Sequence, residues 1–209
     1  NFKIIYAANI DIKYNDQIKN FWEEKKDSLL NHLSLIDSKD FWEIFPLKSE
    51  QELNRTYISI KNLLRIEIIK KIYKEFPEEL IIIGNDWKNY ITTYLPSTSE
   101  KNLKNFYFKN VCLDFGSKWS DHCMYPRSID IVESGGFLVQ SKQIDSEKIF
   151  GELKNLSTFD SVQGLIKLLH FLKNNNDEVN FHYEKIYKNF SNKNLNYQTL
   201  KKIFEISKK

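Results

Sequence analysis

The chain has 209 residues, of which 41% are hydrophobic and 28% charged, with 15 Phe, 11 Tyr and 4 Trp. This is the composition of a globular protein with a real core, and it excludes a disordered or low-complexity chain. The net charge of +3 arises from Lys and Glu interleaved along helical stretches, which speaks for solvated helix faces and against nucleic-acid binding. No apolar run approaches the roughly 20 residues that span a bilayer, and two Cys are too few for a disulfide framework. The absence of a signal peptide gives a cytoplasmic expectation.

Residues 3–10 (KIIYAANI) read as a buried strand, β-branched and aromatic with no interior charge. Asn15 or Asp16 then caps a helix whose Ile18, Phe21, Trp22, Leu29, Leu30 and Leu33 share one face. Residues 39–47 read as a short helix or turn packed on the core. Ser49 and Glu52 form a capping box, and the longest helix follows, with an apolar stripe of Leu53, Tyr57, Ile60, Leu64, Ile68 and Ile72 ending near Phe76-Pro77. Residues 80–83 (LIII) are a strand closed by Gly84-Asn85-Asp86. Residues 91–95 suggest a further short strand stopped by Pro96, and residues 99–108 a helix with Leu103, Phe106 and Tyr107 inward.

Residues 110–140 (NVCLDFGSKWSDHCMYPRSIDIVESGGFLVQ) read as strand, loop, helix and strand. The first strand ends at Gly116-Ser117, the helix opens at Pro126 and stops at Gly135-Gly136, and the second strand starts at Phe137. Residues 145–153 suggest a short helix or turn, and residues 156–159 a strand. Asp160, with Gln163 three residues on, caps a helix with Val162, Leu165, Ile166, Leu169 and Leu172 on its apolar face; Asn174-Asn175-Asn176 breaks it. Helices over 177–190 and 197–206 complete the chain. Strands alternating with helices, several of them wholly apolar, predict a single α/β domain over residues 1–209. Its class is a Rossmann-like three-layer α/β/α fold with a mostly parallel sheet and extra N-terminal helices. In such sheets ligands bind beyond the carboxyl ends of the strands.

The chain has no GxGxxG, GxxxxGK[ST] or GxSxG motif. Asp121-His122-Cys123 has no second His/Cys pair at ligand spacing, and His32, His170 and His182 read as structural or exposed, so neither metal nor cofactor is expected. Cys112 lies inside a strand and reads as core. Arg127 stands at a helix start directly after Pro126, where a guanidinium and free backbone N–H groups together hold a phosphate. Asp130, one turn on, suits a ribose diol. On spacing alone the same two residues read more readily as an i, i+3 surface ion pair, common on any helix.

On these residues the run PRSIDIVESGGFLVQ resembles the helix-and-strand segment of group 1 glycosyltransferases of the two-domain GT-B fold, and within them the spore-maturation-type variant. Arg127 falls at the Arg that begins the family's helix, Asp130 at its carboxylate, Gly135 at its small turn residue and Phe137-Leu138-Val139 at its following strand. The matching order of elements covers residues 79–175, and more loosely residues 2–10. The resemblance implies the C-terminal, nucleotide-sugar-binding half of such an enzyme, with no metal. Arg127 and Lys118 would stabilise the leaving diphosphate. Gly84, Asn85, Asp86, Gly116, Ser117, Ser128 and Asp130 would line the donor cleft, and Trp119 and Tyr125 would stack on the base or sugar. The sequence departs from the family where Asp130 stands for Glu and where Cys123 stands for an upstream carboxylate. The stretch before Leu80 is also too short for the acceptor domain, and the chain begins at Asn1 without Met. The expectation is therefore a missing N-terminal domain or a stand-alone form. The implied partners are a nucleotide-sugar donor and an acceptor glycan or protein, in surface glycan synthesis. A non-catalytic nucleotide- or protein-binding module of the same fold is the alternative.

Overall fold

A computed structural model describes residues 2–12, 15–37, 49–116, 126–143, 150–151 and 154–175, with Glu184 and Tyr187. The expected turn over 39–47, the helices over 177–190 and 197–206, and most of residues 145–153 lie outside the described residues.

The strands are β1 (Ile4–Ala7), β2 (Leu80–Ile83), β3 (Val111–Asp114), β4 (Phe137–Ser141) and β5 (Thr158–Phe159). They form one sheet in the order β2-β1-β3-β4-β5, and every pairing is parallel. A parallel sheet must be covered on both faces, which is why these strands carry unbroken apolar runs. The helices are α1 (Asp16–Asn31), α2 (Glu50–Glu75), α3 (Glu100–Tyr107), α4 (Pro126–Glu133), the single turn α5 (Lys154–Ser157) and α6 (Val162–Asn174). α1, α2 and α6 pack on one another on one face; α3 and α4 pack together on the other. The three-layer α/β/α expectation holds, with the sheet wholly parallel.

Local chemistry accounts for most boundaries. Asn15 caps α1 by accepting from the Ile18 N–H at 2.8 Å. Ser49 Oγ accepts from the Glu52 N–H at 3.2 Å, and α2 then runs 26 residues without Gly or Pro, about 39 Å at the usual rise, before Pro77 ends it. Tyr57, Ile60, Leu64, Ile68 and Ile72 are buried as the stripe requires, but so are Thr56, Ser59, Lys61 and Asn62. α2 is therefore enclosed on more than its apolar stripe, because both α1 and α6 lean on it.

Three expectations change. Residues 91–95 form no strand among the described elements: Ile91 N–H closes the 3-10 turn Trp87–Asn89 on the Trp87 carbonyl, and only Leu95 bridges to Ile83 before Pro96. Leu156 sits in α5, and β5 begins at Thr158, whose hydroxyl donates to the Lys154 carbonyl at 2.7 Å. The cap of α6 is Ser161, which accepts from the Gly164 N–H at 3.1 Å. The Asp160 carbonyl receives the Leu33 N–H instead.

Candidate functional site

The connection leaving β1 reaches β2 on one side, and the connection leaving β2 returns past β1 to β3. The switch point of the sheet therefore lies between the carboxyl ends of β1 and β3, where ligands bind in open α/β sheets. The sequence arms the two sides of this point differently.

On the β2 side the chain closes on itself. Gly84 has φ +155° and lies against the Ala8 backbone, so that a Cβ there would stand 2.0 Å from the Ala8 carbonyl oxygen. Trp87, fully buried, donates from Nε1 to the same oxygen at 2.8 Å. The Asn85 N–H donates to Asn9 Oδ1 at 2.9 Å, Ser97 Oγ donates to that oxygen at 2.6 Å, and Asn85 Oδ1 accepts from the Ser97 N–H at 3.3 Å. Asp86, exposed, takes left-handed φ 68° to start the following turn. Gly84 and Asn85 thus have a structural account: they seal the ends of β1 and β2.

On the β3 side the arrangement is polar and buried. Asp114 ends β3 at 1% exposure, opposite Gln140 of β4 at 2%. Asp114 Oδ1 accepts from the Gly116 N–H at 3.1 Å, and Oδ2 accepts from the Ser128 hydroxyl at 2.7 Å. A second Ser128 contact, to Gln140 Oε1, is 3.4 Å long. One carboxylate therefore clasps the residue just beyond β3 and the first turn of α4. Gly116, at φ 70°, also accepts from Arg65 Nη2 of α2 at 2.8 Å through its carbonyl. Across the sheet Tyr6 is 1% exposed and packs on Phe115 at 4.8 Å between ring centroids. Burial pushes its phenol pKa up; Arg65 and Arg127 pull it down, and Asp114 pushes it up again. Among the described residues Tyr6 Oη and Arg65 Nε on the α2 face of the sheet, and Gln140 Nε2 of β4 on the α4 face, are buried without a partner. Buried polar groups of this kind are ordinarily satisfied by water or ligand.

Gly116 and Ser128 thus meet at Asp114, the carboxyl end of β3. Ser128 is 1% exposed and its hydroxyl is spent on Asp114, so it holds the helix rather than facing solvent. Arg127 is half-buried in the first turn of α4. Asp130, also half-buried, turns toward α3: burial raises its carboxyl pKa, Glu100 raises it further, Lys104 lowers it, Glu133 raises it, and Arg127 lowers it least. Arg127 thus acts on Asp130 less than Glu100 and Lys104 of α3 do. Ser117, Lys118, Trp119, Tyr125 and the Asp121-His122-Cys123 run lie outside the described residues. Cys112 is fully buried, and burial pushes its thiol pKa well up, as befits a core residue. His32 is exposed at the end of α1, and His170 is exposed against the Phe76 ring at 4.6 Å.

No family model, curated protein or solved structure matches this chain. Among the described residues, no helix is long and apolar enough to cross a membrane.

Tyr6, Arg65, Asp114 and Gln140 were not expected as site residues. Asp114 carried a readable signal, a carboxylate inside the otherwise apolar run VCLDF. Arg65 carried a weaker one, a rare Arg beside the apolar stripe of α2.

The raised pKa of Asp130 has a checkable consequence. A carboxyl whose pKa rises on folding is penalised in its ionised form above that pKa, and the penalty vanishes as pH falls below the ordinary value. Asp130→Asn removes the ionisable group. The variant is expected to be slightly more stable than the native chain near pH 7, with the difference closing toward about pH 3, as read from urea midpoints at both values.

Proposed function

We propose that this chain is the donor-binding unit of a glycosyltransferase, taking a nucleotide-sugar across the carboxyl ends of β1 and β3. The observation that carries this reading is Arg127 in the first turn of α4, a helix whose start the Ser128–Asp114 hydrogen bond ties to the carboxyl end of β3. The likeness of residues 126–140 to the group 1 glycosyltransferase segment supports it. In the reaction the bond between the sugar's anomeric carbon and the diphosphate breaks, and the leaving diphosphate keeps the electron pair. The acceptor hydroxyl forms the new bond and gives up its proton. The protein's work is to stabilise the growing negative charge, a task that suits the Arg127 guanidinium, the backbone N–H groups of α4 and, from the residues ahead of it in the chain, Lys118. Asp130 takes the ribose hydroxyls. The acceptor, a glycan or protein of surface glycan synthesis in the cytoplasm, is supplied against a separate domain.

Calorimetric titration of UDP, GDP and their sugars tests the reading. Saturable binding of at least one is expected, weakened about ten- to hundredfold in Arg127→Ala, the loss of a charge-assisted hydrogen bond to phosphate. Binding without sugar transfer to any acceptor would favour the non-catalytic module. No binding at millimolar nucleotide would end the donor-site idea.

A further inference from the structure

Two side chains of α2 tie together the connections that leave β1 and β3. The C-terminal end of α2 stands at the start of β2, where the Leu80 N–H donates to the Phe76 carbonyl at 3.0 Å. Asn62 and Arg65 lie about 16 to 21 Å back along the helix, and the four-residue strands β1 and β2 are about 13 Å long, so both side chains reach the carboxyl ends of the strands. Asn62, 4% exposed, donates from Nδ2 to the Asp11 carbonyl at 2.6 Å. Its Oδ1 accepts from Arg65 Nη1 at 3.2 Å, and Arg65 Nη2 donates to the Gly116 carbonyl at 2.8 Å. Asp11 lies just past the end of β1, and Gly116 just past the end of β3.

The series does not stop at Gly116. Its N–H donates to Asp114 Oδ1, and Asp114 Oδ2 accepts from Ser128 in the first turn of α4. Gly116 is thus gripped twice, at its carbonyl from α2 and at its N–H from Asp114. One unbroken run of hydrogen bonds joins Asp11, Asn62, Arg65, Gly116, Asp114 and Ser128. It crosses the switch point and ends beside Arg127. The guanidinium stays charged on burial, and its planar fork fixes the angle between the two bonds it donates. Linked hydrogen bonds of low exposure polarise one another, so the loss of one loosens the rest.

We propose that Asn62 and Arg65 are positioning residues, a strap that holds the two sides of the crevice between β1 and β3 at a fixed separation and so sets the affinity for a nucleotide bound across it. The role toward a nucleotide rests on the donor-site reading; the hold on the two connections does not. Both side chains act through the backbone of Asp11 and Gly116 rather than on the ligand itself. Because the links stand in series, cutting either one releases the strap, and cutting the second releases nothing more.

Amide hydrogen exchange on the ¹⁵N-labelled full chain reads the strap without ligand. Asn62→Leu removes no contact of Gly116, yet it is expected to speed exchange of the Gly116 N–H at least about tenfold more than that of Phe137, which the Asn110 carbonyl holds at the other end of β3 and β4. A general loss of stability would raise both alike. Titration of UDP and GDP reads the consequence. Asn62→Leu and Arg65→Met are each expected to weaken binding about tenfold, as for one well-placed hydrogen bond, and the double variant no further than either alone. Asn62→Asp keeps the acceptor for Arg65 and loses only the donor to Asp11, so it repeats both measurements should Arg65→Met fail to fold. Losses that multiply to about a hundredfold in the double variant would mean two independent contacts and overturn the strap. Equal exchange changes at Gly116 and Phe137 would overturn it too. Nucleotide affinity unchanged in variants whose Gly116 exchange has risen would overturn the positioning role. A native chain that binds neither nucleotide ends the donor-site reading, while the exchange result still decides the strap.

Discussion

Gly84→Ala is expected to destabilise the fold by about 4 kcal/mol, the sum of a strained backbone and an overpacked contact. The added Cβ would stand 2.0 Å from the Ala8 carbonyl oxygen and 2.6 Å from its carbon, and backbone cannot swing aside as a side chain can. That oxygen also accepts the Trp87 indole N–H, so moving it disturbs a fully buried Trp as well. The φ of +155° is itself a conformation that L side chains rarely adopt. Urea denaturation would show a large fall in midpoint. A variant with the native midpoint would mean that the ends of β1 and β2 are not sealed in this way.

Asp114→Ala is expected to cost about 3 kcal/mol, because it strands the Ser128 hydroxyl and the Gly116 N–H in a buried place. Asp114→Asn should be milder. An amide oxygen still accepts from Gly116, and the Ser128 proton turns to Gln140 Oε1, already 3.4 Å away. The two variants also separate stability from positioning. If the clasp sets Arg127 at the switch point, Asp114→Asn weakens nucleotide binding more than its small stability loss explains. If nucleotide affinity is unchanged in a folded Asp114→Asn, the clasp is structural alone. The comparison needs denaturation midpoints and titrations on the same samples.

Much of the fold was legible in the chain because the signals were local. Runs such as LIII before Gly84-Asn85-Asp86, or VCLDF before Gly116, carry both the strand and its end. The capping box at Ser49 and Glu52 located the start of α2. The misreadings were local too, where two elements share one composition. Leu156 looks like strand but completes a helical turn, and residues 91–95 look like strand but spend their first N–H on the Trp87 turn. Asp160 and Ser161 are both good caps; only the pull of Leu33 on the Asp160 carbonyl chooses between them.

The site divides along the same line. Arg127, Gly116 and Ser128 could be singled out from sequence because a helix start after Pro and a Gly at a strand end are themselves local features. Arg65 meets Gly116 across 51 positions, and Asp114 meets Ser128 across 14 and faces Gln140 through strand register. No spacing in the chain encodes those meetings. The sequence by itself determined the strands, most of the helices and the helix start that holds Arg127, through three- and four-residue periodicity, caps and breakers. Only the tertiary structure decided that β1 stands between β2 and β3. That order creates the switch point and buries Asp114 beneath α4, because it sets which side chains share a face.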